Sequence, residues 1–169
     1  YKSALACDPI SAFGGIVSCN YKVKKKLAIE LSKIFLEAIV ANGFEKDALK
    51  ILKKKKNIRL IDANNLNTSN LNNFISNFNS ILIQSPDINK FNMKNFKIVS
   101  KRKPTSNQLQ NLIFAFSICR YVKSNAIVIA NNKSTLGIGS GQPSRLDSCK
   151  IAIEKMNKFQ PNSFINSVA

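Results

Sequence analysis

One segment of the sequence constrains the fold more than any other. It contains two apolar runs that are separated by a tight turn and accompanied by alternating glycines. The runs, 125–130 and 134–138, predict a hairpin of one buried strand and a returning strand. A helix is predicted from about Pro143 to residue 158, because proline is tolerated in the first helical turn. The alternating glycines between the hairpin and this helix are Gly137, Gly139 and Gly141. The segment therefore predicts strand, turn, strand, glycine-rich loop and helix.

This glycine-rich segment has two interpretations. Glycines let a backbone approach a ligand closely, and the unpaired N–H groups of the following helix can hold an anion. Arg145 would add a guanidinium cation that can donate two parallel hydrogen bonds, and Asn125 can both donate and accept hydrogen bonds. Alternatively, the glycines serve only a tight hairpin exit and close packing. Neither a Walker loop nor a dinucleotide fingerprint is present, so the pattern alone leaves both interpretations open.

Two further segments are candidates for binding. In the segment 8–15, Asp8-Pro9 initiates a turn and Phe13 precedes two glycines, where its ring can stack on a flat heterocycle. The alternative is that Phe13 belongs to the core. The segment Ser100–Thr105 is either a phosphate-facing basic cluster or an exposed linker before a helix, and we slightly favour the linker.

The remaining chain alternates strands with helices. Residues 63–79 are rich in asparagine and predict a surface excursion of low regularity. Strands are predicted at 14–19, 37–41, 57–62, 80–84 and 96–100, and helices at 23–35, 45–56 and 106–122. This pattern, with at least one hairpin, predicts an α/β fold whose sheet is mixed rather than purely parallel.

The formal charge of +17 first suggests a polyanionic partner such as RNA or DNA. Lysine nevertheless outnumbers arginine 22 to 4, and the abundance of Lys, Asn and Ile is typical of an A/T-rich genome. We therefore favour compositional drift over a nucleic-acid function. The four cysteines lack CxxC spacing and the sequence has no histidine, which argues against a zinc site. The absence of a signal peptide or an apolar run of about 18 residues predicts a cytoplasmic protein with reduced thiols and no membrane partner.

Several motifs occur together in one order. They are Cys7-Asp8-Pro9-Ile10-Ser11-Ala12-Phe13-Gly14-Gly15, Glu37-Ala38-Ile39-Val40-Ala41, Ser100-Lys101-Arg102-Lys103-Pro104-Thr105, Val122-Lys123-Ser124-Asn125-Ala126-Ile127-Val128 and Gly137-Ile138-Gly139-Ser140-Gly141-Gln142-Pro143-Ser144-Arg145. With these motifs the chain, from residue 1 to about 158, resembles the transformylase domain of the bifunctional AICAR transformylase/IMP cyclohydrolase family. The resemblance implies a cytidine-deaminase-like three-layer α/β/α architecture with a mixed sheet. Residues 1–100 would be part of a first transformylase subdomain and its connection, and residues 101–169 the start of a second.

The resemblance also implies an activity. Members transfer a formyl group from the cosubstrate 10-formyltetrahydrofolate to AICAR, giving FAICAR for IMP synthesis, and a separate cyclohydrolase domain, absent here, then forms IMP. The full enzyme is a homodimer, and no specific nucleic-acid partner is expected. Some members hold a potassium ion near the positions matched by Ser124 and Asn125.

Site residues follow from the resemblance position by position. Asn125 matches a catalytic asparagine near the reacting amine of AICAR, and Gly14 a glycine at the AICAR carboxamide. Glu37 falls where the family has an acidic residue facing the ribose, and Arg145 lies near the nucleotide. The folate-side positions are Phe13 and Leu146. None of these six positions is assigned as a metal ligand.

The departures limit the expected activity. The family's catalytic Lys-His pair lies upstream of the first motif, and this chain contains no histidine. The downstream Phe-Phe-Pro-Phe motif is also missing. The chain begins at Tyr1 in what resembles a helix end, so we expect an internal fragment that is inactive alone. A non-catalytic remnant and a basic nucleic-acid-binding module are the alternatives.

Overall fold

The computed structural model describes residues 1–66, 72–87 and 95–169. In these ranges the chain forms five α-helices and seven β-strands. The elements in chain order are α1 (Lys2–Cys7), β1 (Gly15–Cys19), α2 (Lys25–Leu31), β2 (Leu36–Ala41), α3 (Lys46–Leu52), β3 (Arg59–Asp62), β4 (Asn73–Asn77), β5 (Ser80–Gln84), α4 (Ser106–Cys119), β6 (Ile127–Asn131), β7 (Ser134–Gly139) and α5 (Arg145–Phe159). None of these helices is both long and apolar enough to cross a membrane.

The first half of the chain forms a parallel sheet in the order β1-β2-β3. Alternate side chains of its strands point to one face, where α2 and α3 bury them in a common core. The fully buried side chains of this core include Val23, Leu31, Ile39 and Leu52. Ile16 and Ile61, at alternate positions, are exposed instead. The sheet is thus covered on one face only among the described residues.

The second half is built on the predicted hairpin of β6 and β7, which pair antiparallel. Val128 and Ala130 of β6 pack with Ala115 of α4, whereas Ile129 packs with Ala152 of α5. The two-residue periodicity of the strand therefore sends its apolar side chains alternately to two helices. The hairpin lies between α4 and α5.

Helix α1 connects the two halves. It packs against β7 and α5 of the second half. Tyr1, at its start, packs against the core of the first half. An ion pair between Asp8 and Lys155 joins the turn after α1 to helix α5. This arrangement fixes where the loop after α1 lies relative to α5.

The mixed α/β class is confirmed, but several predicted details are wrong. Each described sheet has a single strand orientation, parallel in the first half and antiparallel in the two hairpins, so no single described sheet is mixed. The excursion predicted for 63–79 contains β4, because Asn73–Asn77 pairs with β5 across a tight turn. Its residues 67–71 lie outside the described ranges. The strand predicted at 96–100 is absent, since this segment has no strand partner among the described residues.

Helix boundaries also differ from the prediction. Helix α2 ends at Leu31 rather than at residue 35, because Ser32 and Lys33 form a turn that leads Phe35 towards β2. Helix α3 ends at Leu52, so the lysines that follow it lie in turns. Helix α5 begins at Arg145 with Ser144 as its N-cap, and Pro143 therefore precedes the helix. Helix propensity alone does not predict these boundaries, because they depend on the capping residue and on the turn that follows or precedes the helix.

Candidate functional site

Asn125 is held between two loops. Its backbone N–H donates to the carbonyl of Gln142 at 3.1 Å, and its side-chain amide donates to the carbonyls of Gln142 and Pro143, both at 2.9 Å. Its own carbonyl accepts a 2.7 Å hydrogen bond from the buried Ser148 hydroxyl. Both amide hydrogens are therefore committed to the backbone. The side-chain oxygen accepts no hydrogen bond from the described residues.

The alternating glycines divide into two kinds. A Cβ on Gly137 would lie 2.0 Å from the carbonyl oxygen of Ala152, and one on Gly139 would lie 1.8 Å from that of Ser148. These two glycines therefore let β7 and α5 pack backbone against backbone, which is the packing interpretation. Gly141 differs, because its φ of +69° lies in the left-handed region and its surroundings are open. Only Gly141 shapes the loop that faces Asn125, through its N–H bond of 2.7 Å to the carbonyl of Lys123.

The start of α5 does not offer the free anion site that the sequence suggested. The Ser144 side chain accepts from the N–H groups of Leu146 at 3.2 Å and Asp147 at 3.4 Å. This is an ordinary N-cap, and Asp147 supplies a negative charge in the same turn. Arg145 and Leu146 nevertheless project from this turn as exposed side chains. Anion binding there would depend on Arg145 rather than on helix N–H groups.

The turn at 8–15 is fixed at both of its ends. One Asp8 oxygen accepts from the N–H of Ser11 at 2.9 Å, and the other accepts from the Lys155 ammonium at 2.5 Å. Burial alone would raise the pKa of the Asp8 carboxyl, but these hydrogen bonds outweigh it and lower the pKa to about 2. At the other end the N–H of Gly14, with φ of +72°, donates to the carbonyl of Phe35 at 3.0 Å. The loop therefore has a defined shape.

Phe13 lies on the outside of this turn with 72% of its surface exposed. Its ring centroid is 5.2 Å from that of Phe35, and the ring planes are inclined by 41°. The alternative that Phe13 is a core residue is therefore wrong. An exposed aromatic ring held by a second ring is suited to stacking on a flat ligand.

Glu37 lies with Phe35 in an open cleft of about 510 Å³. Its Oε2 atom accepts a 2.8 Å hydrogen bond from Nη1 of Arg59 on the adjacent strand. The residues lining the cleft are Phe35, Glu37, Lys56, Asn57, Ile58 and Arg59. Sequence reasoning missed Phe35 and Arg59, because the first was assigned to a helix and the second had no visible partner. The register of β2 and β3 is what brings Arg59 to Glu37.

The predicted site residues thus form two groups. Phe13, Gly14 and Glu37 lie at the first sheet, whereas Asn125, Arg145 and Leu146 lie where the 123–125 loop meets the start of α5. No hydrogen bond or ion pair between described residues joins a member of one group directly to a member of the other. The pair Asp8–Lys155 links the turn that carries Phe13 and Gly14 to helix α5, which carries Arg145 and Leu146.

The basic segment 100–105 behaves mainly as a linker. Thr105 caps α4 in a capping box with Gln108, and the helix begins at Ser106 as predicted. Arg102 and Lys103 lie at an apolar cavity of about 680 Å³ that is also lined by Leu109, Leu112 and Ile127. Nothing in this segment gathers cations around a common point.

The described residues contain no group of three metal-ligating acidic, cysteine or histidine side chains. All four cysteines are free thiols. Only Cys7 is buried, and its burial raises the pKa of the thiol, despite a hydrogen bond with Thr135 that lowers it. A raised pKa favours the protonated form, so Cys7 has the character of a packing residue rather than a nucleophile.

These features define a mixed α/β protein with exposed polar and aromatic side chains on loops held by backbone hydrogen bonds. The family model described as AICARFT/IMPCHase bienzyme matches residues 1–155. The chain belongs to this family, which confirms the resemblance read from its motifs.

Individual relatives agree with the family match. The bifunctional purine biosynthesis protein PurH of Parvibaculum lavamentivorans is 43% identical over 158 residues, covering 92% of this chain and 29% of the relative. PurH of Lactobacillus acidophilus is 44% identical over 153 residues, covering 89% of this chain and 30% of the relative. PurH of Prochlorococcus marinus is 42% identical over 169 residues, covering 99% of this chain and 33% of the relative. The chain thus spans about a third of the length of these relatives.

Proposed function

We propose that this chain supplies part of the substrate-binding surface for formyl transfer from 10-formyltetrahydrofolate to AICAR, giving FAICAR in purine (IMP) biosynthesis. Its similarity to bifunctional purine biosynthesis proteins supports this role. The observation that carries the proposal is the fixed orientation of the Asn125 side chain. The same proposal places the protein in the cytoplasm.

Asn125 is suited to orient a weakly nucleophilic amine. Its amide nitrogen is anchored to two carbonyls at 2.9 Å, so the side chain cannot rotate without losing both bonds. The amide oxygen is left as an acceptor for an N–H group of the substrate. An acceptor fixed before the substrate arrives contributes to catalysis because it needs no reorganisation during the reaction.

The remaining site residues have complementary chemistry. The exposed ring of Phe13 offers a stacking surface for the folate, and the exposed Leu146 an apolar contact on the same ligand. Arg145 provides a cation for the nucleotide, and the Glu37 carboxylate an acceptor for ribose hydroxyls. Gly14 allows close approach to the AICAR carboxamide, since its left-handed backbone leaves that side of the loop without a side chain.

The reaction itself needs a group that this sequence does not contain. The AICAR amine forms a bond to the formyl carbon, the bond from that carbon to N10 of the folate breaks, and the proton that the amine loses is passed on so that N10 leaves protonated as tetrahydrofolate. Histidine is the usual acceptor for such a proton near neutral pH, and the 169 residues include none. We therefore assign binding and orientation to this chain and expect the 169-residue piece alone to form no FAICAR.

The proposal has a structural side. We infer a cytidine-deaminase-like α/β/α architecture, with residues 1–100 in a first subdomain and residues 101–169 at the start of a second. The separate cores in the two halves of the chain support this division. Assembly of the full enzyme as a homodimer and a coupled IMP cyclohydrolase activity belong to the same proposal. The potassium ion near Ser124 and Asn125 stays a prediction.

The test uses the natural polypeptide that contains residues 1–169. We expect FAICAR formation from AICAR and 10-formyltetrahydrofolate, and a fall in kcat of about 100-fold for Asn125→Ala. Asn157→Ala, an exposed asparagine on α5, is the matched control and should leave kcat unchanged. Equal activity of the Asn125 and Asn157 variants would refute the role of Asn125, and no FAICAR from the unaltered polypeptide would refute the proposed activity.

A further inference from the structure

The ion pair between Glu37 and Arg59 crosses two neighbouring parallel strands. Pairing of β1 with β2 shifts register between Gly15 and Ile16, so that Gly15 faces Leu36 but Ile16 faces Ala38. Glu37 is the residue that this shift leaves without a partner on β1. A bulge of this kind redirects a side chain. On the other side of β2, Arg59 pairs with Ala38 and is therefore the β3 residue nearest to Glu37.

The ion pair has little to contribute to folding. The side chain of Arg59 is 69% exposed and that of Glu37 47% exposed. Exposed ion pairs contribute little to stability because solvent screens them and two side chains lose freedom. Its position in a cleft, next to Phe35 and the exposed ring of Phe13, is a better guide to its role.

The two oxygens of the Glu37 carboxylate are not equivalent. Oε2 accepts from Nη1 of Arg59 at 2.8 Å, whereas Oε1 accepts no hydrogen bond from the described residues. A carboxylate held at one oxygen by a planar guanidinium has a restricted orientation, and its second oxygen keeps its acceptor capacity. Lys56 is the other cation of the cleft, and its flexible stem does not fix orientation in the same way.

We propose that Arg59 is a positioning residue that holds Glu37 so that Oε1 accepts a hydrogen bond from a ribose hydroxyl of the nucleotide substrate. This inference rests on the proposed function of the same site. Arg59 itself touches no reacting atom. Its removal leaves the carboxylate in place but free to rotate, so it weakens substrate binding without altering the chemical step.

The test compares two substrates in the natural polypeptide that contains residues 1–169. Arg59→Ala should raise the KM for AICAR about tenfold, the effect of one charge-assisted hydrogen bond, while kcat changes less than about twofold. With the 2′,3′-dideoxyribose analogue of AICAR, the same variant should change KM less than about twofold, because the analogue has no hydroxyl for Glu37. Arg59→Lys should recover part of the loss.

The controls separate positioning from general damage. Lys50→Ala breaks an exposed ion pair with Asp47 on α3 and should leave both KM values unchanged. In a Glu37→Ala background, Arg59→Ala should add no further loss for AICAR, because the residue through which it acts is gone.

Three results would overturn the inference. One is an equal rise in KM for AICAR and its dideoxy analogue with Arg59→Ala. Another is an additive loss in the Glu37→Ala background. The third is an unaltered polypeptide without formyl transfer, which would remove the proposed function and this inference together, whereas the first two leave the proposed function standing.

Discussion

The ammonium of Lys155 lies 2.5 Å from the Asp8 carboxylate and ties the middle of helix α5 to the turn that carries Phe13 and Gly14. The two residues are 147 positions apart in sequence. Asp8 also accepts the N–H of Ser11, so one carboxylate both closes the turn and attaches it to the helix. This ion pair therefore joins the turn that carries Phe13 and Gly14 to the helix that carries Arg145 and Leu146.

Asp8→Asn should lower the free energy of unfolding by about 1–2 kcal/mol at pH 7, because it removes a largely buried charge from its ammonium partner. The pKa of Asp8 is lowered to about 2 in the folded protein, below its unfolded value. The stabilisation is therefore fully present above about pH 4 and disappears as pH falls towards 2. Urea unfolding at pH 7, 4 and 2.5 measures the difference between the two proteins.

The matched control for this prediction is Glu154→Gln, an exposed carboxylate on the same helix as Lys155. Its stability difference from the unaltered protein should stay within about 0.5 kcal/mol. A difference between Asp8→Asn and the unaltered protein that is the same at pH 7 and pH 2.5 would contradict the ionic explanation.

Gly139→Ala should destabilise the protein by about 3 kcal/mol or more, since its Cβ would lie 1.8 Å from the Ser148 carbonyl oxygen. Gly141→Ala, two residues later, should cost only about 1 kcal/mol, the cost of a left-handed residue in open surroundings. Thermal or urea unfolding of both variants gives the comparison. Similar losses at the two positions would show that helix α5 does not pack on β7 as closely as described.

Phe13→Ala should separate binding from stability. The ring is 72% exposed, so its loss should change the free energy of unfolding by less than about 1 kcal/mol. The KM for 10-formyltetrahydrofolate should rise about tenfold through the lost stacking contact. Phe164→Ala, which removes a ring that is 64% exposed outside the candidate site, should not change this KM. An unchanged KM in the Phe13 variant would remove Phe13 from the folate-binding surface.

The net charge of +17 should produce only weak, salt-sensitive binding to nucleic acid. Arginines are few, and several lysines, including Lys33 and Lys50, are engaged with carboxylates rather than gathered in a groove. Binding of a short DNA duplex should therefore weaken about a thousandfold or more between 50 and 200 mM salt. Fluorescence anisotropy at both salt concentrations measures this loss. Submicromolar affinity that survives at about 150 mM salt would favour a nucleic-acid function instead.

Local pattern predicted the elements but not the contacts between them. The hairpin of β6 and β7 and the start of α4 at Ser106 follow from short stretches of sequence, and both were predicted correctly. The pairing of Glu37 with Arg59 was not predictable, because it depends on the register of two strands separated by a helix. Phe35 was assigned to a helix since its spacing is helical, whereas the turn at Ser32 directs it to Phe13.

The glycine-rich segment is a second case in which local sequence did not predict contacts between elements. Alternation at 137, 139 and 141 suggested one ligand-binding loop. The space available at each glycine, however, depends on whether helix α5 packs against it. No local pattern contains that information. The motif as a whole identified the family, whereas the packing of its individual glycines is visible only in the structure.

The contact between β7 and α5 bears on how tolerance to substitution should be interpreted in this chain. Gly137 and Gly139 each leave room for a hydrogen atom and nothing larger. A saturation mutagenesis experiment would therefore score both positions as intolerant, because any added Cβ would collide with the backbone of helix α5. Intolerance at positions 137 and 139 measures the distance between two backbones, and it should not be counted as a map of the candidate site.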